Sequence, residues 1–297
     1  MDGFEESVRI MRAASRGPLY DVPMSKLAAW SARFAWFSFA VVILSILIVR
    51  GGFLEIEPAL ATFGAALIFA ALAILLAFAA FVVIWRQGLA GLGRAVLGLT
   101  LGAVLLAYPG YLAYRGSKLP AINDITTDPA NPPRFDVLAR LRPRGSSAYP
   151  GARVAALQAK FYPDIDALEY DAPASLAYRV ALQVVTKRKW HIVDALPPTP
   201  QRPGEIEAVA RTLIMGFRDD VVVRVSGSAG SARIDVRSAS RYGINDFGAN
   251  AKRVTALLSD IDDAMTDALA APARPEPAAK EKEKPAPKKK PPPKRKR

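Results

Sequence analysis

Two aspartates and two threonines crowd one short segment of the chain, INDITTDPANPP at residues 122–133. Closely spaced carboxylates can act as general acids or bind hard cations. A second acidic pair occurs in the later segment FRDD. The residues that could form an acid or metal site are therefore Asp124, Thr126, Thr127, Asp128, Asp219 and Asp220.

The same residue types also have a structural interpretation. Asp and Thr side chains bond nearby backbone groups in turns, and the pair Pro132-Pro133 keeps a chain extended. No Gly-rich cation-binding loop accompanies the carboxylates. We therefore interpret residues 122–133 as an extended strap over a soluble domain, called the strap below. The acid or metal site is the alternative.

A second polar cluster lies in RSASRYGINDFGANAKR, residues 237–253. Its arginines, placed before the start of a predicted helix, could hold a phosphate or carboxylate, because helix N-termini attract anions. Alternatively, Asp246 caps the helix and Arg241 or Arg253 pairs with Asp124, Asp219 or Asp220. We favour the second interpretation, because the segment lacks the glycine spacing of a phosphate-binding loop. The candidate residues here are Arg237, Arg241, Asp246, Asn250 and Arg253.

Other common reaction centres find little support. The chain has no cysteine, which excludes disulfides and thiolate chemistry, and a single histidine, His191. The spacings GxSxG and HExxH of hydrolases and metalloproteases do not occur. The sequence therefore assigns no catalytic residue, no cofactor and no metal.

Three apolar runs precede these clusters and are long enough for membrane helices. They cover residues 34–49, 58–85 and 95–114, against the roughly 20 residues that a span needs. Gly98 and Gly102 form a GxxxG step, which fits either packing among the three helices or a dimer face. Packing is the interpretation that we favour.

The basic residues around the spans predict an orientation. Lys and Arg are more frequent before the first span and between the second and third than in the other two flanks. The positive-inside rule then places the N-terminus in the cytoplasm of a bacterium and the C-terminal domain in the periplasm.

After residue 114 the hydrophobic periodicity changes. Helical periodicity is clear in 171–190 and from 246 onwards, and four segments between them alternate like strands. Short connections predict a four-stranded antiparallel meander with one polar face, and both helices packed on its other face. The fold class expected is three spans followed by an α+β soluble domain.

The last residues of the chain have a different composition. Residues 275–297 contain ten Lys or Arg, three Glu and seven Pro, which predicts a disordered basic tail. Such a tail could bind anionic lipid or an envelope polymer. It lacks interleaved aromatic residues, so specific nucleic-acid recognition is not expected. The predicted regions are 1–33 cytoplasmic, 34–114 transmembrane, 115–270 soluble and 271–297 tail.

Three sequence blocks resemble the DUF1499 family, which has no established activity. They are INDITTDPANPPRF, FRDDVVVRV and RSASRYGINDFGANAKRV, and the resemblance spans about residues 119–265. It implies an envelope-associated α+β domain in which the blocks lie together, and it implies no reaction. We expect an inner-membrane protein with a binding or scaffold role for a lipid, polymer or protein partner. The alternative is a hydrolase-like or metal-dependent enzyme that uses the two polar clusters.

Overall fold

The computed structural model describes residues 22–52, 56–142 and 146–270. The predicted basic tail and most of the predicted N-terminal segment lie outside these residues. Three helices come first: α1 (Lys26–Gly51), α2 (Ile56–Gln87) and α3 (Leu92–Gly116). All three are long and apolar enough to cross a membrane, and each extends beyond the apolar run that predicted it.

Small residues bring the three helices close together. A Cβ atom on Gly98 of α3 would lie 1.9 Å from Ser31 Oγ of α1. One on Gly102 would lie 2.9 Å from the carbonyl oxygen of Ala70 in α2. Ser31 in turn donates to the carbonyl of Ala73 at 2.8 Å. The GxxxG step therefore serves packing within the chain, as its favoured interpretation predicted.

The soluble part is an antiparallel sheet with helices. Its elements are β1 (Asp124–Thr126), a 3-10 helix (Leu138–Leu141), α4 (Ala152–Phe161), β2 (Leu168–Tyr170), α5 (Ala174–Lys187), β3 (His191–Leu196), β4 (Gly204–Arg211), β5 (Arg218–Gly227), β6 (Ala232–Ser240) and α6 (Ala249–Ala270). The order in the sheet is β1-β6-β5-β4-β3, and β2 also pairs with β6.

The strands β3 to β6 form the predicted meander, but the prediction of four strands was wrong. Two three-residue strands complete the sheet, because β1 and β2 pair with opposite halves of the free edge of β6. Strands this short show no alternation in a sequence, and they form only because β6 offers them a template. Pairing along this edge also covers backbone groups that would otherwise stay open.

Helices α5 and α6 pack on one face of the sheet, as predicted. We call this the helix face. Alternate strand residues point into it, and its core includes Ile206, Val221, Val223, Ile234 and Val236. The helices add residues such as Val185, Leu257 and Ile261 to the same core. Burial of this apolar surface is the main contribution to folding.

The opposite face is not the solvated polar face that alternation predicted. We call it the strap face, because the strap and the residues after it cover it. Phe135 and Leu138 pack there against Val209, Val222 and Ala239 in a second, smaller core. Charged side chains on this face are consequently buried, and they include Glu207, Asp220, Asp235 and Arg237.

Candidate functional site

The strap is fixed to β6 by main-chain and side-chain hydrogen bonds. Its Thr127 donates from N–H to the carbonyl of Val236 at 2.9 Å, and Thr127 Oγ1 accepts from Val236 N–H at 2.9 Å. On the other side, Gln158 of α4 holds the backbone of Thr126. Its Oε1 accepts from Thr126 N–H at 3.1 Å, and its Nε2 donates to the Thr126 carbonyl at 2.6 Å. The strap is therefore an integral part of the sheet.

The ion pair of Asp124 with Arg237 lies at the centre of the strap face. Arg237 Nε and Nη2 donate to the two carboxylate oxygens at 3.0 and 2.8 Å. The same guanidinium group donates to the carbonyls of Pro133 and Ser147, at 3.0 and 3.1 Å. It also lies over the Phe135 ring, 4.5 Å from the centroid. These partners satisfy a cation that is 1% exposed, as burial of a charge requires.

A second buried carboxylate, Asp220, lies between two arginines. Arg142 Nη1 donates to it at 2.8 Å, and Arg241 Nη2 donates to it at 2.8 Å. Arg142 also donates to the backbone carbonyl of Ser240 at 2.8 Å. One carboxylate faces two guanidinium groups, so this group carries a net positive charge and depends on Asp220.

The remaining strap aspartate joins a more open group around Arg224. Arg224 Nη2 donates to Asp128 at 3.0 Å and to Asp235 at 2.9 Å. Its Nη1 donates to the carbonyl of Asn131 at 3.0 Å. Asp128 also accepts from Asn131 N–H at 2.9 Å, which is the turn geometry expected for an Asx residue. The Arg224 side chain thus holds the turn of the strap against β5 and β6.

Glu207 binds the backbone of the segment that follows the strap. Its carboxylate accepts from the backbone N–H groups of Asp136 and Leu138, the latter at 2.7 Å. Burial raises the pKa of Glu207, and the two backbone hydrogen bonds act in the opposite direction. Burial also raises the pKa of Tyr149 to about 12, helped by the nearby Asp124 carboxylate. Glu207 is thus held by backbone hydrogen bonds, whereas the buried Tyr149 hydroxyl has no hydrogen-bond partner within the described residues.

Three residues of the second predicted cluster, Asp246, Asn250 and Arg253, lie on the helix face at the start of α6. Asp246 Oδ1 and Oδ2 accept from the N–H groups of Gly248 and Asn250, at 2.8 and 2.7 Å, which caps the helix. Arg253 pairs with Asp219 and donates to Ser238 Oγ at 3.0 Å. Burial raises the pKa of Asp246. This cluster closes the junction between β6 and α6.

The structure therefore distributes the predicted site residues over two faces. Asp124, Asp128, Asp220, Arg237 and Arg241 belong to the strap face, and Asp219, Asp246, Asn250 and Arg253 belong to the helix face. The four candidate metal-binding aspartates do not converge. In the described parts of the chain no group of three or more His, Asp or Glu is placed to hold a metal ion.

The anion-site interpretation does not match the observed geometry either. Arg237 and Arg241 point away from the start of α6 and pair with Asp124 and Asp220. The first turn of α6 is already occupied by the Asp246 carboxylate. The alternative that paired these arginines with aspartates is the one that the structure shows.

Four members of these clusters escaped the sequence analysis: Arg142, Glu207, Arg224 and Asp235. Three of them have a usable signal, because they alternate with apolar residues on predicted strands and share the strap face. Such a pattern is normally taken as a solvated face. Arg142 has no local signal, since it reaches Asp220 across 78 positions of the chain.

Comparisons with known proteins give one family match, which lies within this domain. Residues 124–261 match the family model DUF1499, described as a protein of unknown function. No curated protein gives a significant match. Among solved structures, CalU16 from Micromonospora echinospora is 14% identical, with a TM-score of 0.24. That alignment covers 36% of this chain and 74% of CalU16, and a similarity this low defines neither fold nor function. The family match includes the strap from Asp124 onwards, both polar clusters and all six strands, so this soluble part of the chain matches the DUF1499 family.

Proposed function

We propose that the protein is an integral membrane protein of the bacterial inner membrane whose DUF1499 domain acts as a binding or scaffold module at the cell envelope. The observation that carries this proposal is the internal use of the polar clusters. The carboxylates that could have served as acids or ligands accept from arginines or from backbone N–H groups instead. Buried, mutually satisfied networks of this kind rigidify a fold.

The orientation belongs to the same proposal. The distribution of Lys and Arg supports a cytoplasmic N-terminus and a periplasmic domain. The basic residues at 275–297 would then bind anionic lipid or an acidic envelope polymer near the membrane surface. The candidate partners are thus the bilayer, an envelope polymer and a further protein.

The alternative function is a hydrolase-like or metal-dependent enzyme built on the two clusters. It shares the fold with the scaffold role but assigns a different purpose to Asp124 and Asp220. Substitution of an acid in an enzyme removes activity from a folded protein. In a scaffold, function should instead follow the amount of folded domain.

Complementation of a deletion strain separates the two functions. Asp124→Asn and Asp220→Asn variants would be expressed at graded levels, and envelope permeability would be compared with the amount of protease-resistant domain. We expect all variants to fall on the wild-type relation between folded domain and permeability. A variant that is folded at wild-type level yet fails to complement would support the enzyme and refute the scaffold.

The same experiment also tests whether the domain must be anchored in the membrane. Residues 117–270, secreted behind a cleavable signal peptide, give the domain without α1, α2 and α3. A scaffold at the inner membrane should lose complementation when the domain is released, with the full chain as the matched control. Full complementation by the released domain would contradict the anchored role.

A further inference from the structure

Two loops at one end of the sheet carry large apolar side chains into solvent. The turn between β4 and β5, residues 212–217, exposes Leu213 to 91%. The loop between β6 and α6, residues 241–248, exposes Ile244 to 80%. Ile214 and Tyr242 beside them are also exposed. Exposed apolar groups clustered in this way mark an interaction surface.

The first loop is held at the end of a membrane helix. Arg50, in the last turn of α1, donates from Nη1 to the carbonyl of Leu213 at 2.5 Å and to that of Ile214 at 3.2 Å. A Cβ atom on Gly216 would lie 3.0 Å from Cγ of Arg50, so the turn and the helix end are in close contact. This turn therefore lies beside the C-terminal end of α1.

The second loop is held at the end of α3. A Cβ atom on Gly116 would lie 2.8 Å from the Phe247 ring, and one on Gly248 would lie 3.3 Å from Arg115. Helices α1 and α3 are antiparallel to α2 in an up-down-up arrangement, so both end on the same side of the membrane. The two loops consequently face the same leaflet.

The charges around the first tip suit a lipid surface. Arg211 and Arg218 are directly opposite each other at the base of the turn, and both are exposed. Like charges in this position destabilise a strand pair, and an anionic layer between or below them would relieve that repulsion. An apolar tip with cations at its base matches the arrangement of segments that lie in the membrane interface.

We propose that these two loops dock the soluble domain onto the bilayer, with Leu213 and Ile244 inserted among the lipid chains and Arg211 and Arg218 at the headgroup phosphates. The occupant of this surface is the phospholipid leaflet in which α1 and α3 end. This docking depends on the three helices spanning a membrane and is independent of the scaffold role.

Lipid-chain quenching tests the insertion directly. The chain lacks cysteine, so Leu213→Cys, Ile244→Cys and Ala229→Cys variants of the full chain can each carry one environment-sensitive fluorophore. Ala229 is exposed in the β5–β6 turn, at the far end of β5, and is the matched control. Each variant would be reconstituted into vesicles of phosphatidylcholine and phosphatidylglycerol, with or without bromine on the acyl chains.

We expect the brominated chains to quench the reporters at positions 213 and 244 and to leave the one at 229 at its original intensity. Emission from 213 and 244 should also be blue-shifted relative to 229. Equal, weak quenching at all three positions would overturn the proposal. Blue-shifted emission at positions 213 and 244 without quenching, together with cross-linking between two copies, would also overturn the proposal. That result would show a protein partner at this surface.

Arg211 and Arg218 at the base of the turn allow a second measurement on the same protein. Arg211→Gln with Arg218→Gln should reduce the quenching at 213 in vesicles that contain phosphatidylglycerol, and the difference should vanish in pure phosphatidylcholine. Arg233→Gln, in β6 near the β5–β6 turn, is the matched control and should change neither value. A reduction of quenching in both lipid compositions, or in neither, would contradict the assignment of these arginines to headgroups.

Discussion

Asp124 and Arg237 form a two-point ion pair between the strap and the middle of β6, across 113 positions of the chain. Both side chains are almost fully buried. Removal of either partner leaves a charge that water cannot reach, and such losses cost about 3–5 kcal/mol.

The first prediction is a double-mutant cycle on this pair. Asp124→Ala and Arg237→Ala should each lower the free energy of unfolding by about 3–5 kcal/mol, and the double variant should cost clearly less than their sum. Pulse proteolysis of the full chain in urea would measure each value. The control is the coupling energy of the exposed pair Glu169 and Arg233, roughly 0–1 kcal/mol; the coupling is compared and not the single losses, because Arg233 also pairs with the buried Asp235. Additive losses at Asp124 and Arg237 would show that they do not stabilise each other.

The second prediction concerns Asp220 and its two arginines. Asp220→Asn keeps the side-chain size but leaves Arg142 and Arg241 facing each other without a counter-charge. We expect a loss of about 3–5 kcal/mol in the free energy of unfolding. Asp260→Asn is the control, because its partner Arg188 and its own carboxylate both reach solvent, and it should cost roughly 0–1 kcal/mol. Similar losses for the two variants would contradict the role given to Asp220.

The third prediction is a pH dependence that comes from Asp246. Burial raises the pKa of Asp246 above its ordinary value of 3.8. At pH values between 3.8 and the raised pKa of the folded state, the folded domain binds more protons than the unfolded chain. Asp246 therefore lowers the free energy of unfolding as the pH rises through this range. Asp246→Asn retains a helix cap and should remove this contribution. Urea titrations at several pH values from 3.5 upward would show a smaller fall with pH in the variant, and an unchanged slope would contradict it.

The fourth prediction is the orientation of the domain. Ser228→Cys, in the exposed turn between β5 and β6, should react with a membrane-impermeant maleimide added to intact spheroplasts. The wild-type chain is the blank, since it has no cysteine. Labelling that occurs only after lysis would place the domain and the basic residues 275–297 in the cytoplasm.

Apolar run length and periodicity determined much of the architecture. Long uncharged stretches predicted α1, α2 and α3, because a bilayer requires a span of that length. Alternation of the kind seen at Val221, Val223 and Val225 predicted the strands and their inner face. These patterns are local in the sequence, so they can be recognised without knowing which segments pack against each face.

Only the tertiary structure decided which charges meet. Asp124 reaches Arg237, and Asp220 reaches Arg142, through the register of β1 on β6 and the path of the chain after the strap. In sequence Arg237 looks like a residue of a solvated face, and the same face became buried once Phe135 and Leu138 packed over it. Long-range pairing depends on how distant segments align in space, and short-range composition does not encode that alignment.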